Sequence, residues 1–154
     1  MKMKSLLAGL LVSVLAVGVA LAADGLLGTW KLNEAKSKFP PGAPKNNTVV
    51  YEAAGDSIKV TIDGVDGSGK ATHVEWTGKM DGKDYPSTGS AMDDTRAYTK
   101  IDDHTVHVVL KKGGKEVATA HVVLSNDGKT RTVTASTPGP DGKKVTSTAV
   151  YDKQ

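Results

Sequence analysis

The stretch SIKVTIDGVDGSGKATHVEWTGKM, residues 57–80, decides the fold class. Every second residue from Ile58 to Ile62 is apolar, and a period of two places these side chains on one face of a β-strand. The centre is rich in glycine and aspartate, which tolerate the backbone of a tight turn. Val74 and Trp76 then share one face of a returning strand. The stretch therefore predicts a β-hairpin.

The same pattern recurs on both sides of this hairpin, in short runs separated by Gly, Asp and Asn, whereas helical periodicity is almost absent. The predicted strands are residues 28–32, 48–53, 57–63, 71–80, 85–88, 95–101, 105–111, 116–124, 130–137 and 144–152. Strands joined by tight hairpins pair with their sequence neighbours, and an open sheet of ten strands would leave two unpaired edges. The sequence therefore predicts an all-β, single antiparallel up-and-down meander of about ten strands that closes into a barrel.

One long segment without a strand pattern, residues 33–47, lies between the first two predicted strands. It contains Pro40-Pro41-Gly42-Ala43-Pro44, and proline lacks the amide donor that a continuous helix needs. A two-sheet sandwich needs several long crossing connections. A single such segment favours the barrel.

The chain begins with a segment typical of a signal peptide. Lys2 and Lys4 precede an apolar stretch without charge, and Ala20-Leu21-Ala22 has the small residues of a cleavage site. We expect cleavage after Ala22, which leaves residues 23–154 as one β-barrel domain. A retained transmembrane anchor is the alternative, but the Ala and Gly content and the lack of a basic stop signal argue against it. We therefore expect a periplasmic or secreted bacterial protein with no integral membrane segment after cleavage.

Composition excludes several classes of function. The chain has no cysteine, which excludes a disulfide framework and a lipidated N-terminal cysteine. Cleavage would remove two of the twenty Lys and Arg residues against seventeen acids, which leaves a formal charge of +1. The lysines gather in glycine-containing turns without interleaved aromatic residues, so no nucleic-acid partner is predicted. We expect a monomer.

The two ends of the predicted barrel resemble those of the fatty-acid-binding proteins. GTWKL at residues 28–32 opens the first strand, and VTSTAVYD at residues 145–152 forms the last. In that family and the wider calycin group, a Gly-x-Trp opens the first strand and its Trp plugs one end of the barrel. The resemblance implies a lipocalin-like barrel, a structural plug at Trp30 and a small apolar or amphipathic ligand. WKLNEAKSKF at residues 30–39 with DGKDYP at residues 81–86 is also similar to small secreted bacterial proteins of unassigned function.

The chain departs from that family at the residues that grip a ligand carboxylate. The family's C-terminal Arg-x-Tyr pair corresponds here to Ala149-Val150-Tyr151, so the tyrosine matches and the cation is missing. A rough alignment places His121 where the family has a second inward arginine, and a protonated imidazole can still donate to an anion. The alternative is that His121 is a polar residue on a half-exposed strand. The helical lid of the family is replaced by the proline-rich segment.

Most aromatic residues fall on predicted strands. Core packing explains them by default, but a barrel of ten strands is too wide for side chains to fill unless it flattens, so they could also line a pocket. We predict that the ligand-binding residues are Trp76, Tyr98, His121 and Tyr151.

No motif predicts catalysis, a metal site or a cofactor. Ser68 lies in a Gly-Ser-Gly turn without the strand-to-helix elbow that activates a nucleophile. Zinc takes three or four ligands, and the only arrangement that could supply them is a cluster of His73, His107 and His121 across strands. A metal-assisted hydrolase is therefore the weakest hypothesis.

The leading hypothesis is an exported, non-catalytic barrel that binds a small apolar or amphipathic ligand. The alternative is an envelope interaction or stress protein with a filled barrel, whose outer loops, notably residues 39–47, make the contacts.

Overall fold

The computed structural model describes residues 24–154, so the predicted signal peptide, residues 1–22, lies outside the described residues. The strands are β1 (Gly28–Lys38), β2 (Lys45–Ala54), β3 (Ser57–Val65), β4 (Ala71–Gly78), β5 (Asp81–Thr88), β6 (Thr95–Lys100), β7 (Thr105–Lys112), β8 (Lys115–Leu124), β9 (Thr130–Pro138) and β10 (Lys144–Lys153). Each strand pairs antiparallel with its sequence neighbours, and β1 pairs with β10. The prediction of an all-β meander of ten strands that closes into a barrel is confirmed. Residues 24–154 contain no helix that could cross a membrane.

The hairpin of β3 and β4 forms as its alternating pattern predicts. Val60 pairs with Trp76 and Ile62 pairs with Val74 across the two strands, and all four side chains are buried. A one-residue slip would move this apolar set to the solvent face, so burial fixes the register.

The end of the barrel at which β1 starts and β10 ends is packed with side chains. Trp30 is fully buried there, and its indole Nε1 donates to the carbonyl oxygen of Leu26 at 2.8 Å. Leu26 and Leu124 belong to the same apolar cluster. This is the packed end, and the structure places Trp30 in it.

The first strand is longer than its sequence predicts, because residues 33–38 belong to β1. This half of the strand pairs with β10 through a register shift between Asn33 and Lys38. The Ser37 hydroxyl donates to the carbonyl of Asn33 at 2.7 Å and accepts from the amide of Val150 at 2.9 Å. A polar, bulged strand has no clear period of two, which explains why the prediction of a non-strand segment was wrong for residues 33–38. It is confirmed for residues 39–44 and wrong again for residues 45–47, which belong to β2.

The proline-rich connection, residues 39–44, lies at the opposite end of the barrel. The connections from β3 to β4, β5 to β6, β7 to β8 and β9 to β10 lie at the same end. We call this end the mouth. The backbones of Gly42 and Gly67 approach so closely there that a Cβ on Gly67 would collide with the carbonyl oxygen of Gly42. This close approach joins the proline-rich connection to the turn between β3 and β4.

Candidate functional site

The inside of the barrel is a cavity of about 1060 Å³ that extends to the mouth. This volume is at the upper end of the range of about 300–1,000 Å³ that is usual for small-molecule sites. The filled barrel of the alternative hypothesis is therefore not the geometry that residues 24–154 adopt.

Two opposite walls of the cavity differ in side-chain size. The wall of β8, β9 and β10 includes five small residues beside larger ones such as Val122, Arg131 and Tyr151. The small ones are Ala118, Ala120, Ala135, Ser147 and Ala149. The wall of β2, β3, β4, β6 and β7 carries larger ones: Val49, Tyr51, Ile62, Val74, Tyr98 and Val108. The small residues leave space between the walls of the barrel.

Arg131 lies on the cavity wall beside the packed end of the barrel and is only 2% exposed. It stands on β9 directly opposite Tyr151 of β10. Its Nη1 donates to the hydroxyl oxygen of Tyr51 at 2.8 Å. Its guanidinium carbon lies 4.4 Å from the ring centroid of Tyr151, 5.1 Å from that of Tyr51 and 5.4 Å from that of Trp30.

The charge of Arg131 is not balanced by an acid. Among residues 24–154 no carboxylate lies within ion-pair distance of its guanidinium group, and its buried Nε has no hydrogen-bond partner. Guanidinium has five N–H donors, and burying a cation without an anion is costly. Arg131 therefore presents unused donors and a positive charge to the cavity.

Two phenols of the cavity, those of Tyr98 and Tyr151, stay protonated well above neutral pH. Burial raises the pKa of Tyr98 to about 12 and that of Tyr151 to about 12. Neither tyrosine can act as the counter-anion of an arginine near neutral pH. Both remain neutral groups that can donate a hydrogen bond.

The other buried arginine, Arg96, has an internal partner. Its Nε donates to Oδ2 of Asp93 at 2.7 Å and its Nη2 donates to Oδ1 at 3.0 Å. The hydroxyl of Ser90 donates to the same carboxylate at 2.6 Å. Burial alone would raise the pKa of Asp93, but the hydrogen bonds and charge of Arg96 outweigh it and the pKa is lowered. This ion pair fixes the connection from β5 to β6 at the mouth.

The four residues predicted to bind a ligand have different positions. Tyr98 and Tyr151 line the cavity. Trp76 is buried but lies behind the lining: it packs on Tyr98 with ring centroids 4.2 Å apart, and its Nε1 donates to the carbonyl of Arg96 at 3.1 Å. It supports the wall of the cavity and does not line it.

His121 requires a correction, because its side chain is exposed on the outer face of the barrel. The inward residues of this part of β8 are Ala120 and Val122. The rough alignment that placed His121 inside was therefore off by one residue, and a shift of one residue moves a side chain to the other face of a strand. The cation beside Tyr151 comes instead from the neighbouring strand, as Arg131.

The proposed cluster of three histidines does not form. His73 is on β4, where its Nδ1 lies 2.6 Å from Oδ1 of Asp63, and the hydrogen bond and charge of Asp63 raise its pKa. His107 and His121 pair on β7 and β8. Within residues 24–154, no three His, Cys, Asp or Glu side chains are grouped so that they could hold a metal ion.

No protein-family model matches the chain, and no curated protein matches it. A solved structure described as EF1p2_mFAP2b bound to DFHBI is similar to it, with a TM-score of 0.49 and 12% sequence identity. The similarity covers 87% of this chain and 98% of that one. The fold assignment itself follows from the strand order and register of the ten-stranded barrel.

Proposed function

We propose that this protein binds, inside its barrel, a small amphipathic molecule with an anionic head group, and that it is exported through residues 1–22. The observation that carries the proposal is the buried charge of Arg131, which has no acidic partner among residues 24–154. A bound carboxylate or similar anion would supply the missing charge and accept the unused N–H groups. Hydrogen bonds to charged groups stabilise by about 1.5–3 kcal/mol.

The surroundings of Arg131 suit such a head group. The hydroxyl of Tyr51 accepts from Arg131, so its own proton is free to point to a ligand. Tyr151 stands opposite with a phenol that stays protonated. An anion between these groups would be held by a cation and by neutral donors.

The body of the ligand would lie along the small-residue wall toward the mouth. Arg131 and Thr137 both line the cavity on β9, and six residues of extended strand span roughly 20 Å. The wall between them is apolar at Val133 and Ala135. The geometry favours a ligand with one buried acidic head and an apolar body of about this length.

The test compares an acidic probe with its uncharged analogue. Cis-parinaric acid fluoresces when it enters an apolar cavity, and its methyl ester has the same chain without the charge. We expect the wild-type protein to bind the acid roughly 10- to 100-fold more tightly than the ester, as hydrogen bonds to a charged group imply. Arg131→Met should remove that difference. Lys153→Met is the matched control, since Lys153 is an exposed cation whose Nζ lies 5.4 Å from the ring centroid of Trp30.

Two outcomes would overturn the binding proposal: no binding of either probe, or equal binding of both by the wild-type protein. Export has its own test, because protein recovered from its native host should begin at Ala23 when it is secreted or periplasmic. A retained N-terminus would contradict export and leave the cavity result unaffected.

A further inference from the structure

Two histidines face each other on the outer wall of the barrel. His107 of β7 and His121 of β8 are directly opposite in the antiparallel pair. Their ring centroids are 4.5 Å apart, with an angle of 40° between the ring planes. Directly opposite residues on neighbouring strands have Cβ atoms about 4.5–5.5 Å apart, so the backbone itself holds these two imidazoles together.

Among residues 24–154, no side chain makes a hydrogen bond to a ring nitrogen of this pair, whereas Asp63 makes one to Nδ1 of His73. Nδ1 of His107 is buried and has no hydrogen-bond partner among residues 24–154. In the same row of the sheet, the residues that flank the pair are Thr99 on β6 and Thr134 on β9, which carry no charge. A polar nitrogen at such a position costs free energy unless a ligand satisfies it.

Imidazole nitrogen is a preferred ligand of the late first-row divalent metal ions. Metal–nitrogen bonds of about 2.0–2.1 Å require that two nitrogens on one ion lie roughly 3 Å apart. Rings in contact on opposite residues reach this separation by rotation about their side-chain bonds, without any movement of the strands. The chelate would therefore form on a rigid part of the sheet.

We propose that His107 and His121 form a two-histidine site for a late transition-metal ion on the outer wall of the barrel. Cu(II) binds this ligand set most tightly, ahead of Ni(II) and Zn(II), following the general order of stability of such complexes. The remaining coordination positions face outward, where water or another molecule completes them. The site lies on the opposite face of the sheet from the cavity and does not depend on a ligand there.

The experiment titrates the untagged, full chain with Cu(II) near neutral pH in a weakly coordinating buffer, followed by calorimetry and by electron paramagnetic resonance. We expect one Cu(II) per chain with two imidazole nitrogens in its coordination sphere. Loss of one of two linked ligands should weaken binding roughly 100-fold in both His107→Gln and His121→Gln. Thermal melts of both variants establish that the barrel is intact.

His73→Gln is the matched control, because His73 is also an exposed strand histidine but is bound to Asp63. It should bind Cu(II) like the wild-type protein. If His73→Gln alone loses the ion, the ion binds at His73 and the proposal is overturned. Binding that survives either His107→Gln or His121→Gln, or a spectrum with only one imidazole nitrogen, would overturn it as well.

Discussion

The two arginines of the chain are both buried on the cavity wall, yet they have opposite surroundings. Arg96 makes two hydrogen bonds to Asp93, whose side chain is completely buried. Arg131 donates to one phenol and stacks against aromatic rings, with no carboxylate nearby among residues 24–154. One arginine is neutralised within the fold, and the other keeps its charge and donors available.

This difference shows that two buried arginines of one barrel can be held by different contacts. A paired buried charge orders the chain around it, here the connection between β5 and β6. An unpaired buried charge is a cost to the folded state, and a bound anion would offset it. The two arginines should therefore respond to mutation and to pH in different ways.

The largest expected effect is that of Asp93→Ala. Removal of one partner of a buried ion pair leaves the other charge uncompensated, which costs about 3–5 kcal/mol. We expect a loss of this size in the free energy of unfolding, measured by urea denaturation. The matched control is Asp94→Ala, because Asp94 is exposed and accepts one hydrogen bond, from the amide of Gly113. Equal losses in the two variants would refute the structural role of the Arg96 pair.

Alkaline pH tests whether a tyrosine could serve as an internal partner of Arg131. Tyr151 ionises near pH 12 in the folded state, against 10 as the ordinary value, because of burial. The unfolded chain therefore loses its proton first, so stability is complete below pH 10 and falls between about 10 and 12. The loss is roughly 1.4 kcal/mol for each pH unit in that window.

Tyr151→Phe should flatten this fall, measured as the free energy of unfolding at a series of pH values. Tyr98→Phe should act in the same direction, since burial raises the pKa of Tyr98 to about 12 as well. Ionisation of Tyr151 near neutral pH, visible as tyrosinate absorbance, would give Arg131 an anion of its own and end the contrast between the two arginines.

The sequence was sufficient for the fold because most strands bury one clear face. In β3 and β4 the alternation of apolar residues predicted both strands and their inward faces. The pairing of the two strands brings these faces together: Ile58, Val60, Ile62, Val74 and Trp76. The second half of β1 was missed because its residues are polar and the strand is bulged, so tertiary pairing with β10 decides its conformation. Closure itself followed from the number of hairpins.

The candidate site was only partly predictable. Tyr98 and Tyr151 line the cavity, and their role in binding stays a prediction. His121 was placed inside by a rough alignment, and the apolar run from Val122 to Leu124 gave no alternation that could have corrected it. Arg131 gave a usable signal that was overlooked, since it shares the face of Val133 and Ala135. Its contact with Tyr51, eighty residues away, depends on the closed barrel and cannot be read from sequence.

Arg131→Met should change the free energy of unfolding less than Asp93→Ala does. Asp93→Ala should lower it, whereas Arg131→Met should leave it unchanged or raise it. The variant loses one hydrogen bond to Tyr51 but also removes an unpaired buried charge. We expect a change of less than about 1.5 kcal/mol, neutral or stabilising, in the ligand-free protein. A destabilisation as large as that of Asp93→Ala would mean that Arg131 is structural, which would break the comparison.

The smallest effect on the free energy of unfolding is expected from an exposed ion pair on the outer face. Comparison with the Arg96 pair separates the role of burial from that of charge. Nζ of Lys59 lies 2.9 Å from Oε1 of Glu75, close to the 2.7 Å of the Arg96 pair, but both side chains are about two-fifths exposed. Their hydrogen bond lowers the pKa of Glu75 and raises that of Lys59, yet water and salt screen exposed pairs. A double-mutant cycle of Lys59→Ala and Glu75→Ala should give a coupling within experimental error at physiological salt. A coupling equal to that between Asp93 and Arg96 would show that contact distance alone sets the energy, and burial would then no longer explain why the two arginines differ.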